Sequence, residues 1–387
     1  MEEDRQDKKS RLKKYLLYVL YTIKMGFSNG KLWLGKRTGL IQTVKILPFI
    51  GFGNSEELFF LGRVLKDKGI GISKLEDSRW RNFKKMYKRF FTWEIPDVRI
   101  KAFLQGKSET ALTDSEGYFQ VSLKPESQIK LNTPWQEVHL ELMDTVVKNQ
   151  DTVQAVNRVV IPGENARFGI ISDIDDTIVP TGATRIFEML KNTFLRNAHS
   201  RIPFPGVSEF YRALQQGASN DEYNPVFYVS SSPWNLYGFL MEFMEINQIP
   251  LGPLMLRDLG LTKEHFISGS HNKHKLIQVE RIFEIVKEIP FILIGDSGQH
   301  DPEIYLKVVK HFPERVKMIY IREAATGRKK ALETGEKIRA LGAGFLLVKN
   351  TMEAAHHAAE NGWIQKDKLN KVDQKKERVE HEMHNSL

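Results

Sequence analysis

Phe168-Gly-Ile-Ile-Ser-Asp173-Ile-Asp175-Asp-Thr177 is the stretch that decides the fold. Phe168, Ile170 and Ile171 lead almost directly into two acids spaced i, i+2 and then a threonine. Such a run reads as a buried parallel strand, which delivers its last residues to the carboxyl edge of a sheet, where open α/β folds place their ligands. There Asp173 and Asp175 need no neutralising partner from the core, and two close carboxylates can share a divalent cation. A turn with solvated acids is the plain alternative for the motif taken alone.

Three later stretches weigh against that alternative. Val226-Phe-Tyr-Val-Ser230 is an apolar run ending in a hydroxyl, followed by Ser231-Ser232-Pro233-Trp234. It predicts a strand, a short loop and a helix with Ser232 as cap and Pro233 in its first turn. A helix start offers unpaired N–H groups to phosphoryl oxygens. Lys275 stands in His271-Asn-Lys-His-Lys-Leu-Ile-Gln-Val, at the start of an amphipathic helix. Phe291-Ile-Leu-Ile-Gly-Asp296-Ser-Gly-Gln-His-Asp301 is another buried strand ending in an acid, with a second acid five residues on.

Taken in order, these four elements resemble the motif set of the haloacid dehalogenase (HAD) phosphohydrolases. The resemblance implies Asp173 as nucleophile and Asp175 as general acid and base. It implies Ser230, Lys275 and Thr177 as phosphate-binding groups, and Asp173, Asp175, Asp296 and Asp301 as the acids around Mg²⁺. For Asp301 two roles stay open, a ligand through water or a residue that orients Lys275. The chemistry accounts for these residue types. A phosphate monoester is anionic and repels nucleophiles, so a hard cation and positive side chains must offset its charge.

The wording around the motifs narrows the resemblance to the catalytic domain of the App1-type phosphatidate phosphatases, relatives of the lipins. It is carried by Ala166-Arg-Phe-Gly-Ile-Ile-Ser-Asp-Ile-Asp-Asp-Thr, Leu190-Lys-Asn-Thr-Phe-Leu-Arg-Asn-Ala-His199-Ser-Arg201 and Pro203-Phe-Pro-Gly206-Val-Ser-Glu-Phe-Tyr. Tyr228-Val-Ser-Ser-Ser-Pro-Trp-Asn-Leu-Tyr237 and Gly295-Asp-Ser-Gly-Gln-His-Asp-Pro-Glu-Ile-Tyr305 complete it. Ser231 departs from the family, which commonly carries Asn there. The resemblance implies Mg²⁺-dependent conversion of phosphatidate to diacylglycerol and phosphate. A phosphatase of soluble or protein-borne phosphoesters, or a module that binds phosphatidate without hydrolysing it, are the other readings. Non-hydrolysing modules are expected to lack the nucleophile, and here Asp173 and Asp175 are both present.

The 387 residues, 41% of them apolar, suffice for two cores. With no cysteine, disulfides, thiolate catalysis and cysteine-ligated zinc are excluded, which suits a cytoplasmic setting. A net charge of +9 favours anionic partners. No nucleic-acid motif accompanies that charge, so the expected partner is an anionic membrane surface. Tyr15–Ile23, after Lys13 and Lys14, is far shorter than the ~20 residues that span a bilayer and reads as a short amphipathic helix. Residues 79–91 hold six basic residues and no acid, with Trp80, Phe83, Tyr87 and Phe90 on one helical face. Such a helix suits packing against the body with a solvated basic face, or peripheral membrane binding.

From roughly residue 93 to 148 the period changes to two. Val98, Ile100 and Ala102 alternate with polar residues, as do Phe119, Val121 and Leu123, and Val138, Leu140 and Leu142. This predicts a small β-sandwich. The predicted organisation is an N-terminal helical and basic segment (1–92), the β-sandwich (93–162), an α/β HAD-like domain with a doubly wound parallel sheet (163–364) and a charged tail (365–387). Val316–Ile321 and Gly344–Val348 are expected as further strands of that sheet.

Overall fold

The computed structural model describes residues 42–67, 93–125, 129, 133–174, 177, 204, 206–257 and 271–369. The membrane-helix readings at 15–23 and 79–91 lie outside them, as does Asp175. Strands β9 (Gly169–Asp173), β10 (Val226–Pro233), β11 (Leu254–Arg257), β12 (Phe291–Asp296), β13 (Val316–Arg322) and β14 (Gly344–Val348) form one sheet. Its order is β11-β10-β9-β12-β13-β14, and every pairing is parallel. Written from β9 this is 3-2-1-4-5-6, the doubly wound order, which reverses direction between β9 and β12.

Alternation along each strand builds a core on both faces. Ile170, Tyr228, Ile292 and Tyr320 point to one side, where helices α1 (Val207–Gln216), α2 (Tyr237–Ile246) and α6 (Thr351–Glu360) cover them. Ile171, Phe227, Leu293 and Ile319 point to the other, beneath α3 (His271–Ile285), α4 (Asp301–His311) and α5 (Arg328–Ala340). Strands buried on both faces read as unbroken apolar runs. Leu369 packs against the first of these cores, so the chain stays attached to the body four residues past the expected start of the tail.

The N-terminal strands are β1 (Val44–Pro48), β2 (Gly51–Gly53), β3 (Leu58–Lys66), β4 (Arg99–Leu104), β5 (Lys107–Leu112), β6 (Tyr118–Leu123), β7 (Trp135–Leu142) and β8 (Gln154–Val160). Hydrogen bonds join them into one connected sheet, in the order β1-β3-β2-β8-β7-β4-β5 with β6 beside β3. The alternating residues of β4, β6 and β7 are buried around a shared core. The strands begin at Val44, within the segment expected to be helical and basic. The reason lies in β3, which carries no alternation: Leu58, Phe60 and Val64 face the sheet's own core, while Phe59 packs against the α/β core.

The two sheets share a close-packed boundary. Phe49 stacks on Trp234 with ring centroids 4.6 Å apart, and lies 4.3 Å from the Tyr237 ring. The Ile50 amide donates to the Tyr237 hydroxyl (2.9 Å), and Asn54 Nδ2 to the Ile285 carbonyl (2.8 Å). Truncating Phe49, which is 1% exposed, empties an aromatic cluster that belongs to both units. Phe49→Ala is expected to cost about 3–5 kcal/mol. Thermal unfolding of the full chain checks this, and a loss below about 1 kcal/mol would mean that the boundary is loosely packed.

Candidate active site

The carboxyl ends of β10, β9 and β12 lie side by side at the centre of the parallel sheet, with Val229 opposite Asp173 and Ile294 opposite Ser172. Asp173 and Asp296 therefore end adjacent strands and flank the point where strand order reverses, with Ser230 on the next strand, one residue past the register partner of Asp173. Crevices at such points are where doubly wound sheets bind ligands. All three residues are buried, at 0, 1 and 0% exposure.

The first turns of two helices supply the rest. Lys275, the fifth residue of α3, is 4% exposed and sends its ammonium under the sheet edge. Its Nζ lies 3.0 Å from Asp173 Oδ1, donates to Asp301 Oδ1 and reaches Gln299 Oε1 at 3.4 Å. Asp301, the first residue of α4, accepts the Asp296 amide on its other oxygen at 3.0 Å. Burial alone would lower the Lys275 pKa, but the paired carboxylates of Asp173 and Asp301 outweigh it and hold the ammonium above its ordinary value. The lysine is a permanent cation here.

Asp296 sits in a different environment. One oxygen accepts the Gly298 and Gln299 amides at 2.8 and 3.0 Å. The other, Oδ2, is buried and accepts no hydrogen bond among the described residues, although the Arg322 guanidinium stands 3.5 Å away. Burial pushes its pKa up to about 6, against the lowering pull of Arg322. A buried carboxylate with an oxygen unclaimed by any N–H or O–H suits a cation, and the hard oxygens of Asp173 and Asp296 suit Mg²⁺. Asp301 fits less well, since both its oxygens are engaged by protein donors. Among the described residues no three acidic or imidazole groups are gathered as a metal cluster.

The structure thus brings together Asp173, Lys275, Asp296 and Asp301, with Ser230 on the next strand. Thr177 is buried at 4% exposure, and its hydroxyl has no hydrogen-bond partner among the described residues. The expected capped helix after Ser230 differs. The strand runs on to Pro233, regains pairing with β11 at Arg257, and passes through a 3₁₀ turn (Trp234–Leu236) before α2. Ser232 caps neither, because its amide is turned back onto Ser230 Oγ at 2.9 Å. Tertiary pairing overrides the local cap signal.

Sequence reasoning missed Gln299, Arg322 and Gly295. Arg322 closes an apolar strand, the same placement that flagged Asp173 and Asp296. Gly295 is needed for space: a Cβ there would stand 2.7 Å from both Cβ and Oδ2 of Asp301. Gly295→Ala is expected to push α4 off the sheet edge, break the Asp296 amide bond to Asp301 and cost about 1–3 kcal/mol. Differential scanning calorimetry reads the loss, and unchanged stability would show that α4 yields freely.

Comparison with known proteins follows the same region. Residues 168–323 match the family described as Phosphatidate phosphatase APP1, catalytic domain. The chain is 36% identical over 240 residues to Phosphatidate phosphatase APP1 of Saccharomyces cerevisiae, covering 59% of this chain and 37% of that protein. It is 26% identical over 214 residues to an uncharacterized protein of Schizosaccharomyces pombe, covering 54% and 34%. The chain thus spans about a third of the length of these curated relatives. Among solved structures, a carbohydrate acetylesterase from Xanthomonas citri is 10% identical, with 83% of this chain and 75% of that one covered and a TM-score of 0.29. A second carbohydrate esterase is 9% identical, with 78% and 97% covered and a TM-score of 0.21. Neither reaches the level of a shared fold. The likeness lies in the sequence: residues 168–323 of this chain are similar to the App1-type phosphatidate phosphatase catalytic domains.

Proposed function

We propose that this chain is a Mg²⁺-dependent phosphoric monoester hydrolase of the HAD type that converts phosphatidate to diacylglycerol and phosphate. The observation that carries the reading is the buried Lys275 ammonium shared by Asp173 and Asp301 at the strand-order reversal, inside the residues matched by the family. The 3-2-1-4-5-6 order supports a HAD-type sheet, and the eight connected N-terminal strands around their own core support a sandwich-like accessory unit. Among the described residues no helix is long and apolar enough to cross a membrane.

In this reading each residue has a distinct role. Asp173, at the strand end, attacks phosphorus; a new P–O bond forms as the ester P–O bond breaks, leaving an aspartyl phosphate. Asp175 gives its proton to the departing oxygen, then takes one from the water that attacks phosphorus and frees phosphate and Asp173. Lys275 keeps positive charge beside the reacting carboxylate, with Asp301 fixing its position. Ser230 and Thr177 offer hydroxyls to the phosphoryl oxygens. Asp173, Asp175 and Asp296 would hold Mg²⁺, which when bound offsets the charge of the phosphoryl group.

Phosphate release from phosphatidate vesicles, set against a panel of soluble phosphomonoesters with and without Mg²⁺, tests the whole reading. Release from the soluble esters alone would reassign the substrate. Asp173→Asn is expected to abolish turnover while leaving thermal unfolding near wild type, because shape is kept and the nucleophilic charge is lost. Near-normal rates in that variant would overturn the mechanism.

Asp175→Asn should slow hydrolysis of an alkyl ester by ~10²- to 10⁴-fold. A para-nitrophenyl ester, whose leaving group needs little protonation, should lose less in a single-turnover first step. Equal losses on the two substrates would remove Asp175 from the acid role.

The basic aromatic segment at 79–91 supports binding to an anionic membrane, where phosphatidate lies. Each basic residue near such a surface contributes on the order of 1 kcal/mol. Replacing Lys84, Lys85, Lys88 and Arg89 by Gln should weaken co-sedimentation with anionic vesicles and leave kcat on a short-chain soluble analogue unchanged. Binding that survives the four changes would return the segment to packing against the body.

A further inference from the structure

Arg322 ends β13 directly beside Asp296 in the strand register. Its guanidinium lies 3.5 Å from Asp296 Oδ2, the oxygen that takes no hydrogen bond from the described residues. The same guanidinium rests on the Phe204 ring, 3.6 Å from its centroid, and the side chain is 23% exposed. The cation is thus held between an aromatic face and a carboxylate. Asp301 holds the Asp296 amide instead, so the two contacts fall on different atoms of Asp296.

We propose that Arg322 is a positioning residue that competes with the divalent cation for Asp296 and so sets the cation affinity of the site. This rests on the reading of Asp296 as a Mg²⁺-holding acid. In the cation-free protein the guanidinium supplies the positive charge that a buried carboxylate requires. A dication held by the same carboxylate meets a like charge already in place, and part of its binding free energy goes into the repulsion. The stack on Phe204 keeps the guanidinium close while the charge partner changes, since a planar cation gains from an aromatic face without needing the carboxylate. Arg322 thereby keeps the empty site ordered and its affinity for Mg²⁺ low.

This role and a merely structural one predict opposite signs. If Arg322 only props up the site, its removal disorders Asp296 and weakens cation binding. If it competes, removal strengthens binding. Isothermal titration of the full chain with Mg²⁺, for wild type, Arg322→Gln and Asp296→Asn, separates the cases without reference to turnover. Arg322→Gln is expected to bind Mg²⁺ on the order of tenfold more tightly than wild type. It should also show a lower melting temperature in chelator and a larger rise on adding Mg²⁺, while Asp296→Asn binds weakly. Equal or weaker binding by Arg322→Gln, with wild type binding normally and Asp296→Asn impaired, overturns the competition and leaves the site reading standing. Wild type that binds no Mg²⁺, or Asp296→Asn that binds as wild type does, overturns the site reading and the competition with it.

Discussion

A buried ammonium cannot stay charged without carboxylates against it, and Lys275 is the point from which the rest of this site is fixed. Stripping water from a charge costs several kcal/mol unless close partners replace it. Asp173 and Asp301 are those partners, and they come from β9 and the first turn of α4. Asp301 in turn holds the backbone of Asp296, so one chain of contacts runs through α3, β9, α4 and β12. The chain closes only because residue 295 has no side chain. A steric concession of one carbon lets a helix start approach a strand end closely enough to serve an electrostatic need.

The sheet supplies direction. Asp173, Ser230 and Asp296 share an edge because their strands are parallel neighbours, and the order reversal between β9 and β12 keeps crossover helices from covering that edge. Two acids on these strands face different surroundings. Asp173 is matched to a fixed lysine, whereas Asp296 is pushed up to about 6 by burial with only the partial relief of Arg322. Unequal surroundings for two nearby carboxylates are the means by which one fold assigns them different tasks.

Much of this was legible because buried parallel strands leave a plain trace. Phe168–Asp173, Val226–Ser230, Phe291–Asp296, Val316–Ile321 and Gly344–Val348 are apolar runs, and each lies in or at the start of a strand of the α/β sheet. The alternation in β4, β6 and β7 was equally readable, since each has one wet face. The strand β3 was not, because its second face packs against another unit, and burial on both sides erases the period of two. Ser232 misled for a related reason: a local capping signal lost to pairing with a strand more than twenty residues away. Arg322 went unread because a cation after an apolar strand carries no sign of the carboxylate that it meets only in the folded chain.

The stack of Phe49 on Trp234 has a mechanical meaning. Trp234 follows four residues after Ser230, and Phe49 belongs to the segment between β1 and β2. The strand end that carries Ser230 is therefore clamped just past Pro233 by a residue held between two strands of the other sheet, with Arg63 Nη1 adding a 2.8 Å hydrogen bond to Asn235. Residue 163, where an α/β domain would be cut from the sequence, is no seam in the packing. The N-terminal sheet works as a splint for the edge of the crevice, and a fragment that begins after it would carry every acid of the site while leaving the turn that follows this strand without its backing.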